Sequence, residues 1–318
     1  MSVERGNILI CAEVHECLIN GLQQCGFSID YFPDYDRNDL EGSIHNYAGL
    51  ITRSKLKIDK ALLNKAAKLK FIGRLGSGME SIDVEYAAQK GIACLNSPEG
   101  NRDSLGEHTL GMLLSLVNNM NRADAEVRKG IWKREANRGM EIQGKTIGII
   151  GYGNMGSAFT KRLSGFGVKV IAYDKYKVDY SDQFVIETDM STIFKETDIL
   201  SLHVPLTEET RYLVNQQYLQ QFSKPIILIN TSRGPVVNTA DLVQNMKSGK
   251  VRGAALDVLE YEKFSFEDLD PDQLPEPMQF LINFDKAILT PHVAGWTNES
   301  QVKLAEVLLG KIKNEFDL

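Results

Sequence analysis

Apolar residues along this chain fall into short runs separated by amphipathic stretches. Strand-like runs at 8–12, 27–32, 48–52, 71–75 and 92–95 alternate with helical patterns such as 59–68 and 83–90. Runs this short and apolar suit strands buried on both faces, so the first hundred residues predict a parallel sheet with helices on either side. The turn-rich segment Asn96-Ser-Pro-Glu-Gly-Asn101 interrupts the pattern. Residues 104–120 then read as one long helix, apolar around too much of its circumference for a single buried stripe. We expect this helix to cross between domains or enter a subunit interface.

A second α/β run begins at Lys145. Strands are predicted at 145–150, 168–173, 199–204, 225–230, 253–257 and 287–289, with helices at 155–166, 190–196, 215–221 and 239–248. Residues 263–286, with Pro271, Pro275 and Pro277 among acidic side chains, read as a long surface loop. The last helix, 298–314, carries Val302, Ala305, Leu308, Leu309 and Ile312 on one face and is able to return to the first module. The organisation expected is a discontinuous domain of residues 1–100 plus 289–318, with a second domain of 101–288 inserted into it.

One turn sharpens the picture. Gly151-Tyr152-Gly153-Asn154-Met155-Gly156 sits between the first strand of the second run and its helix, and the following strand ends at Asp174. In that context Gly151 permits the tight turn, Gly153 lets backbone approach a pyrophosphate, and Gly156 lets helix and strand pack closely. The helix N-terminus then faces an anion. Asp174 is placed to accept hydrogen bonds from an adenosine ribose, which favours NAD over NADP; Lys175 and Lys177 nearby soften that preference.

Composition narrows the class. The chain has 318 residues, is 43% hydrophobic and 25% charged, and carries a net charge of −6. Those values suit a two-domain soluble protein and give nucleic-acid binding no electrostatic support. No signal-peptide pattern or membrane-length apolar stretch is present, so a cytoplasmic location is expected. Cys11, Cys17, Cys25 and Cys94 lack metal-ligand or CxxC spacing and read as free thiols; no metal is expected.

Three segments just past predicted strands each deliver one chemically useful residue: Arg233, Glu262 and His292. Hydride transfer from a 2-hydroxy acid releases a proton, which a histidine accepts near neutral pH. A carboxylate beside it stabilises imidazolium, and a guanidinium fork suits the substrate carboxylate. Singly, each residue also has a structural reading, as an ion-pair Arg, a solvated Glu or a packing His. The case rests on all three leaving strand ends beside a nucleotide motif. His203 and His108 read instead as packing or interface residues.

The chain resembles the D-isomer-specific 2-hydroxyacid dehydrogenases. The resemblance is carried by Gly73-Arg-Leu-Gly-Ser-Gly-Met-Glu-Ser-Ile-Asp83, Asn96 to Glu107, Gly151 to Gly156, Asn230-Thr-Ser-Arg-Gly234, Gly253-Ala-Ala-Leu-Asp-Val258 and Pro291-His-Val-Ala-Gly295. It implies a Rossmann coenzyme domain inserted into a flavodoxin-like substrate domain, both doubly wound α/β, with the active site in the cleft and a homodimer held through the 104–120 helix. It implies that Arg233 binds substrate, that His292 is the acid/base, and that Glu262 is its partner. It also implies that Ser77, Asn154, Met155, Asp174, Val204, Thr231, Ser232, Asp257 and Gly295 join the glycine turn in lining the NAD site. Within the family, Arg74-Leu-Gly-Ser-Gly78 and Leu50-Ile-Thr-Arg-Ser54 are most similar to members acting on 3-phospho-D-glycerate in serine synthesis. That likeness makes Arg53 and Arg74 candidates for a phosphate, and the N–H groups of Gly76, Ser77 and Gly78 candidates for the substrate carboxylate. Alternatives are a hydroxypyruvate or glyoxylate reductase, or a catalytically silent NAD-sensing protein. Lys263 stands after Glu262 where many members have proline, and no C-terminal regulatory domain is expected after Leu318.

Overall fold

The computed structural model describes residues 6–262 and 274–318. The chain divides into two compact units, Met1–Arg102 with Trp296–Leu318, and Asp103–Gly295. The first unit contains β1 (Asn7–Ile10), α1 (Glu16–Gln24), β2 (Ser28–Tyr31), α2 (Arg37–Ser43), β3 (Gly49–Thr52), α3 (Lys60–Lys65), β4 (Phe71–Arg74), α4 (Val84–Gln89) and β5 (Ala93–Asn96). All its strand pairs are parallel, in the order β2-β1-β3-β4-β5. That is the flavodoxin-like order, with its reversal between β1 and β3.

Alternation along the strands divides the core between the two faces of this sheet. Leu9 and Ile72 join Leu62 and Leu63 on one side, while Ile8, Ile10 and Phe71 join Leu18 and Leu22 on the other. Helix α3 is shorter than its apolar pattern predicts. Asp59 caps its start by accepting from Leu62 N, and Ala66 leaves helical geometry at ψ 64°. Register pairs Thr52 with Arg74. Arg53 and Arg74 therefore lie at the carboxyl ends of neighbouring strands.

Helix α5 (Pro98–Val117) carries the chain past residue 102, and α6 (Met120–Val127) follows. The second unit continues with β6 (Thr146–Ile150), α7 (Asn154–Arg162), β7 (Lys169–Tyr173), β8 (Ile186–Glu187), α8 (Met190–Glu196) and β9 (Ile199–Leu202). It ends with α9 (Gln216–Gln220), β10 (Ile226–Asn230), α10 (Thr239–Lys247), β11 (Val251–Leu256), α11 (Glu276–Ile282) and β12 (Ala287–Leu289). Its seven-stranded parallel sheet runs β12-β11-β10-β9-β6-β7-β8, a Rossmann arrangement that reverses between β6 and β9.

Helix α5 spans the division between the two units, as one of its two readings expects, and continues into the second unit. Met112, Leu113, Leu116 and Val117 of α5 are buried in the second unit's own core with Ile142, Ile147, Ile149 and Ile229. Leu110 and Leu114 are partly buried against the same core, while Glu107 and Gly111 are exposed, so the helix packs on this core along part of its circumference. The segment read as a loop over 263–286 contains α11. Pro275 is its N-cap and Pro277 lies in its first turn, where proline removes no helical hydrogen bond, and Met278 and Leu281 anchor it in the core. Pro271, Lys263 and the rest of 263–273 lie outside the described residues.

The final helix, α12 (Asn298–Glu315), begins at a capping box between Thr297 and Ser300. It belongs to the first unit, where Leu304, Ala305, Leu308 and Ile312 pack with Leu18 and Leu22 of α1. Both ends of the chain thus build one core. Among the described residues no helix is long and apolar enough to cross a membrane.

Candidate functional site

In the second unit the glycine turn leaves β6 at the point where strand order reverses. Gly151 has φ 90°, and its N–H donates to Tyr173 O at 2.9 Å. A Cβ there would stand 2.5 Å from His203 O, so the neighbouring strand end leaves no room for a side chain. A Cβ on Gly156 would overlap the Gly151 carbonyl, whereas one on Gly153 would meet nothing within 4 Å. Gly153 is also the N-cap of α7 and offers no side-chain cap to the first-turn N–H groups of Asn154 and Met155. Open space beside uncapped N–H groups is the shape and charge that a pyrophosphate requires. The turn therefore fits a dinucleotide.

Asp174 follows β7 with both oxygens engaged. Oδ2 accepts from Tyr152 N at 2.8 Å, and Oδ1 accepts from Tyr176 N at 2.9 Å and Lys177 N at 3.1 Å. These bonds hold the carboxylate beside the turn. The two nearby lysines have partners of their own: Lys175 pairs with Glu209, and Lys177 donates to Tyr152 O at 2.9 Å. Val204 packs against the core near Gly151. His203 is buried at the same strand end, tilted against Phe159, with Nε2 2.9 Å from Ser201 Oγ. Burial drives its pKa down to about 3, so the ring is neutral at working pH.

The remaining strand ends form a second cluster. After β10, Thr231 and Ser232 are buried, and the Ser232 hydroxyl donates to Asn230 Oδ1 at 2.7 Å. Asn230 Nδ2 donates to Arg233 O at 3.0 Å, and Arg233 Nη1 donates to Ser232 O at 2.6 Å. After β11, the Leu259–Glu262 turn is closed by Glu262 N donating to Leu259 O and Leu259 N donating to Glu262 Oε2, both at 3.2 Å. After β12, His292 adopts φ 57°, a left-handed conformation that is strained for a side chain with a Cβ. His292 Nδ1 lies 3.1 Å from Glu262 Oε1. The structure thus brings Glu262 and His292 together, although 30 residues separate them in the chain.

Asp257 is the hub beneath this pair. It is 1% exposed, and it accepts from Thr290 Oγ1 at 2.5 Å and from Val293 N and Ala294 N at 2.9 Å each. Its backbone carbonyl accepts from His292 N at 2.7 Å. Gly295 closes the unit after these residues. Sequence reasoning missed Thr290, His108 and Gly234. His108 Nε2 lies 3.2 Å from Thr290 Oγ1 and 3.5 Å from Asp257 Oδ1. Its sequence signal was only a polar residue on a mostly apolar helix. Gly234 lies so close to the Leu259–Glu260 backbone that no side chain fits.

In the first unit, Arg53 Nε donates to Glu13 O at 3.0 Å, Nη2 contacts Gln301 Oε1, and the guanidinium lies 4.9 Å from the centre of the Trp296 ring. Burial lowers its pKa, with only Glu13 opposing. Arg74 folds its guanidinium over Gly76, and Nη1 donates to Leu75 O at 2.8 Å. The expected backbone nest is smaller than three donors, because Gly76 N already donates to Ser97 Oγ at 3.2 Å. Ser77 is tied in place by Asn101, which accepts from its hydroxyl at 3.0 Å, and by Asn96, which donates to its carbonyl at 2.7 Å. Gly78 follows it.

Comparison with known proteins places this geometry. Residues 110–294, more than half of the chain, match the family model described as "D-isomer specific 2-hydroxyacid dehydrogenase, NAD binding domain". The chain is 35% identical over 283 residues to a hydroxypyruvate reductase of Thermotoga maritima, covering 89% of each protein. It is 34% identical over 309 residues to a D-3-phosphoglycerate dehydrogenase of Methanocaldococcus jannaschii, spanning 96% of this chain but 56% of that protein. A crystal structure of Aquifex aeolicus D-lactate dehydrogenase complexed with NAD and lactic acid superposes with a TM-score of 0.80 at 28% identity, covering 98% of this chain and 95% of that one. The chain belongs to the D-isomer-specific 2-hydroxyacid dehydrogenases, a family of NAD-dependent oxidoreductases.

Proposed function

We propose that this dehydrogenase oxidises 3-phospho-D-glycerate to 3-phosphohydroxypyruvate, as a cytoplasmic step of serine synthesis. NAD, when bound by the Gly151–Gly156 turn and Asp174, supplies the hydride acceptor. His292 takes the substrate hydroxyl proton. Its Nδ1–H donates to Glu262, which fixes the tautomer, leaves Nε2 to handle the proton, and stabilises the imidazolium that forms. Arg233 holds the substrate carboxylate and, in the reducing direction, polarises the carbonyl.

The observation that carries the substrate assignment is the state of Arg53. Its guanidinium is partly withdrawn from water and makes no salt bridge among the described residues, with Glu13 the one acid that favours its charge from further away. A desolvated cation with so little counter-charge is unfavourable, and a phosphate would relieve it. The Methanocaldococcus jannaschii relative, named for phosphoglycerate, supports this reading. Hydroxypyruvate or glyoxylate reduction is the second reading. It is favoured by Arg74, whose guanidinium bonds back to Leu75 O, and by relatives named for those substrates.

NADH absorbance with 3-phosphoglycerate, phosphohydroxypyruvate, hydroxypyruvate, glyoxylate and D-lactate separates the two. We expect the phosphorylated pair to have the highest kcat/KM. Arg53→Met should lower their kcat/KM about tenfold to a hundredfold and hydroxypyruvate's by less than about threefold, the loss of a charge-assisted contact. Equal losses on both substrates would remove the phosphate assignment.

A homodimer completes the proposal. Met120 and Val127 are 50% exposed and Trp132 is 77% exposed, apolar surface that a second copy would cover. A cavity of about 410 Å³, lined in part by Leu116, Arg122, Glu126 and Ile288, lies in the same unit. Light scattering should give a dimer that Trp132→Glu weakens; a monomeric parent protein would refute this.

A further inference from the structure

We propose that His108 is a positioning residue for turnover, acting through Thr290 and Asp257 on the strained turn that presents His292. The inference rests on the reading of His292 as the acid/base. Residues on both sides of His292 are held by Asp257: Thr290 Oγ1 before it, Val293 N and Ala294 N after it. The Asp257 carbonyl holds the His292 N–H itself. A left-handed histidine persists only where its surroundings over-determine it, and Asp257 supplies that determination.

The hydrogen bonds also assign His108 a proton. Thr290 has one hydroxyl proton, and the short 2.5 Å contact directs it to the Asp257 carboxylate. The Thr290 oxygen is therefore the acceptor from His108 at 3.2 Å, so Nε2 carries a hydrogen. The same N–H lies 3.5 Å from Asp257 Oδ1. His108 thus contributes a donor from α5, an element separate from the loop itself. Asp257 at 1% exposure has little solvent to replace that donor. Without it, the carboxylate and the Thr290 hydroxyl gain freedom to rearrange, and the His292 ring drifts from its partner Glu262.

The test compares His108→Leu with His108→Gln, whose side-chain amide extends an N–H to a similar distance. His108→Leu should lower kcat about tenfold to a hundredfold, the equivalent of one hydrogen bond to a charged group. KM for the hydroxy acid and Kd for NAD should stay within about threefold, since the loss is one of alignment. His108→Gln should recover kcat to within about threefold of the parent. Unchanged turnover in His108→Leu, or a His108→Gln enzyme as slow as His108→Leu, overturns the proposal. If His108→Leu does not fold, Thr290→Val decides, because it removes the intervening hydroxyl: a comparable fall supports the proposal and unchanged turnover refutes it. His292→Asn is measured in parallel. Full turnover there would instead overturn the reading of the site on which this inference stands.

Discussion

Replacing Gly234 by alanine should disable the site without touching any residue assigned to chemistry. An ideal Cβ at Gly234 would stand 2.6 Å from Glu260 N and closer still to the Leu259 carbonyl, whereas ordinary contact begins at 3.4 Å. The Leu259–Glu260 backbone must then retreat by at least about 0.8 Å. That retreat is resisted, because Tyr212 OH donates to Glu260 Oε1 at 2.8 Å and Thr239 N donates to Glu260 Oε2 at 2.9 Å. Overpacking of this kind destabilises by about 1–3 kcal/mol, which in a unit of this size lowers Tm by roughly 2–12 °C. The same displacement travels along the short Leu259–Glu262 turn and lengthens the 3.1 Å contact between Glu262 and His292. Misplacement approaching an ångström at a reacting group lowers rate by about a hundredfold. NADH absorbance gives kcat, fluorescence titration gives the Kd for NAD, and calorimetry gives Tm. We expect a kcat loss of tens-fold or more (the order set by about 2 kcal/mol) with Kd nearly unchanged. A folded Gly234→Ala enzyme with parental kcat would refute the coupling.

Other outcomes follow from the same geometry. Asp174→Ser should lower kcat/KM with NAD and shift preference toward NADP, since it removes the negative charge beside the ribose position; an unchanged ratio would refute its role in coenzyme choice. His203 titrates near 3 in the native protein because of burial, against 6.5 when exposed. Between those values the unfolded chain binds the extra proton, so stability should fall as pH drops from about 6.5 towards 3 and be level above it. His203→Gln should flatten that slope in urea melts; an identical slope would exclude His203 as a source. Cys11 is buried and its thiol is pushed up to about 12, first by burial and then by Asp39. Mass spectrometry after brief iodoacetamide treatment should find it unmodified in the native protein and labelled after unfolding.

Much of this protein is legible from the chain alone because its determinants are local. Buried parallel strands read as apolar runs, the glycine turn occupies six consecutive residues, and Arg233, Glu262 and His292 each follow a recognisable strand. Helix α11 was hidden because Pro275 and Pro277, breakers inside a helix, are favourable at its start. The apolar surround of α5 gave no direction, since periodicity cannot say which partner covers each face. Tertiary structure alone decided that Asp257 would hold the His292 turn and that His108 would reach it from a helix 149 residues before Asp257 (257 − 108). It also decided that Gly234 would lie against the Glu262 turn. Those relations depend on strand ends converging at one sheet edge, and the side chains that meet there are fixed by strand order and register rather than by their spacing in the sequence.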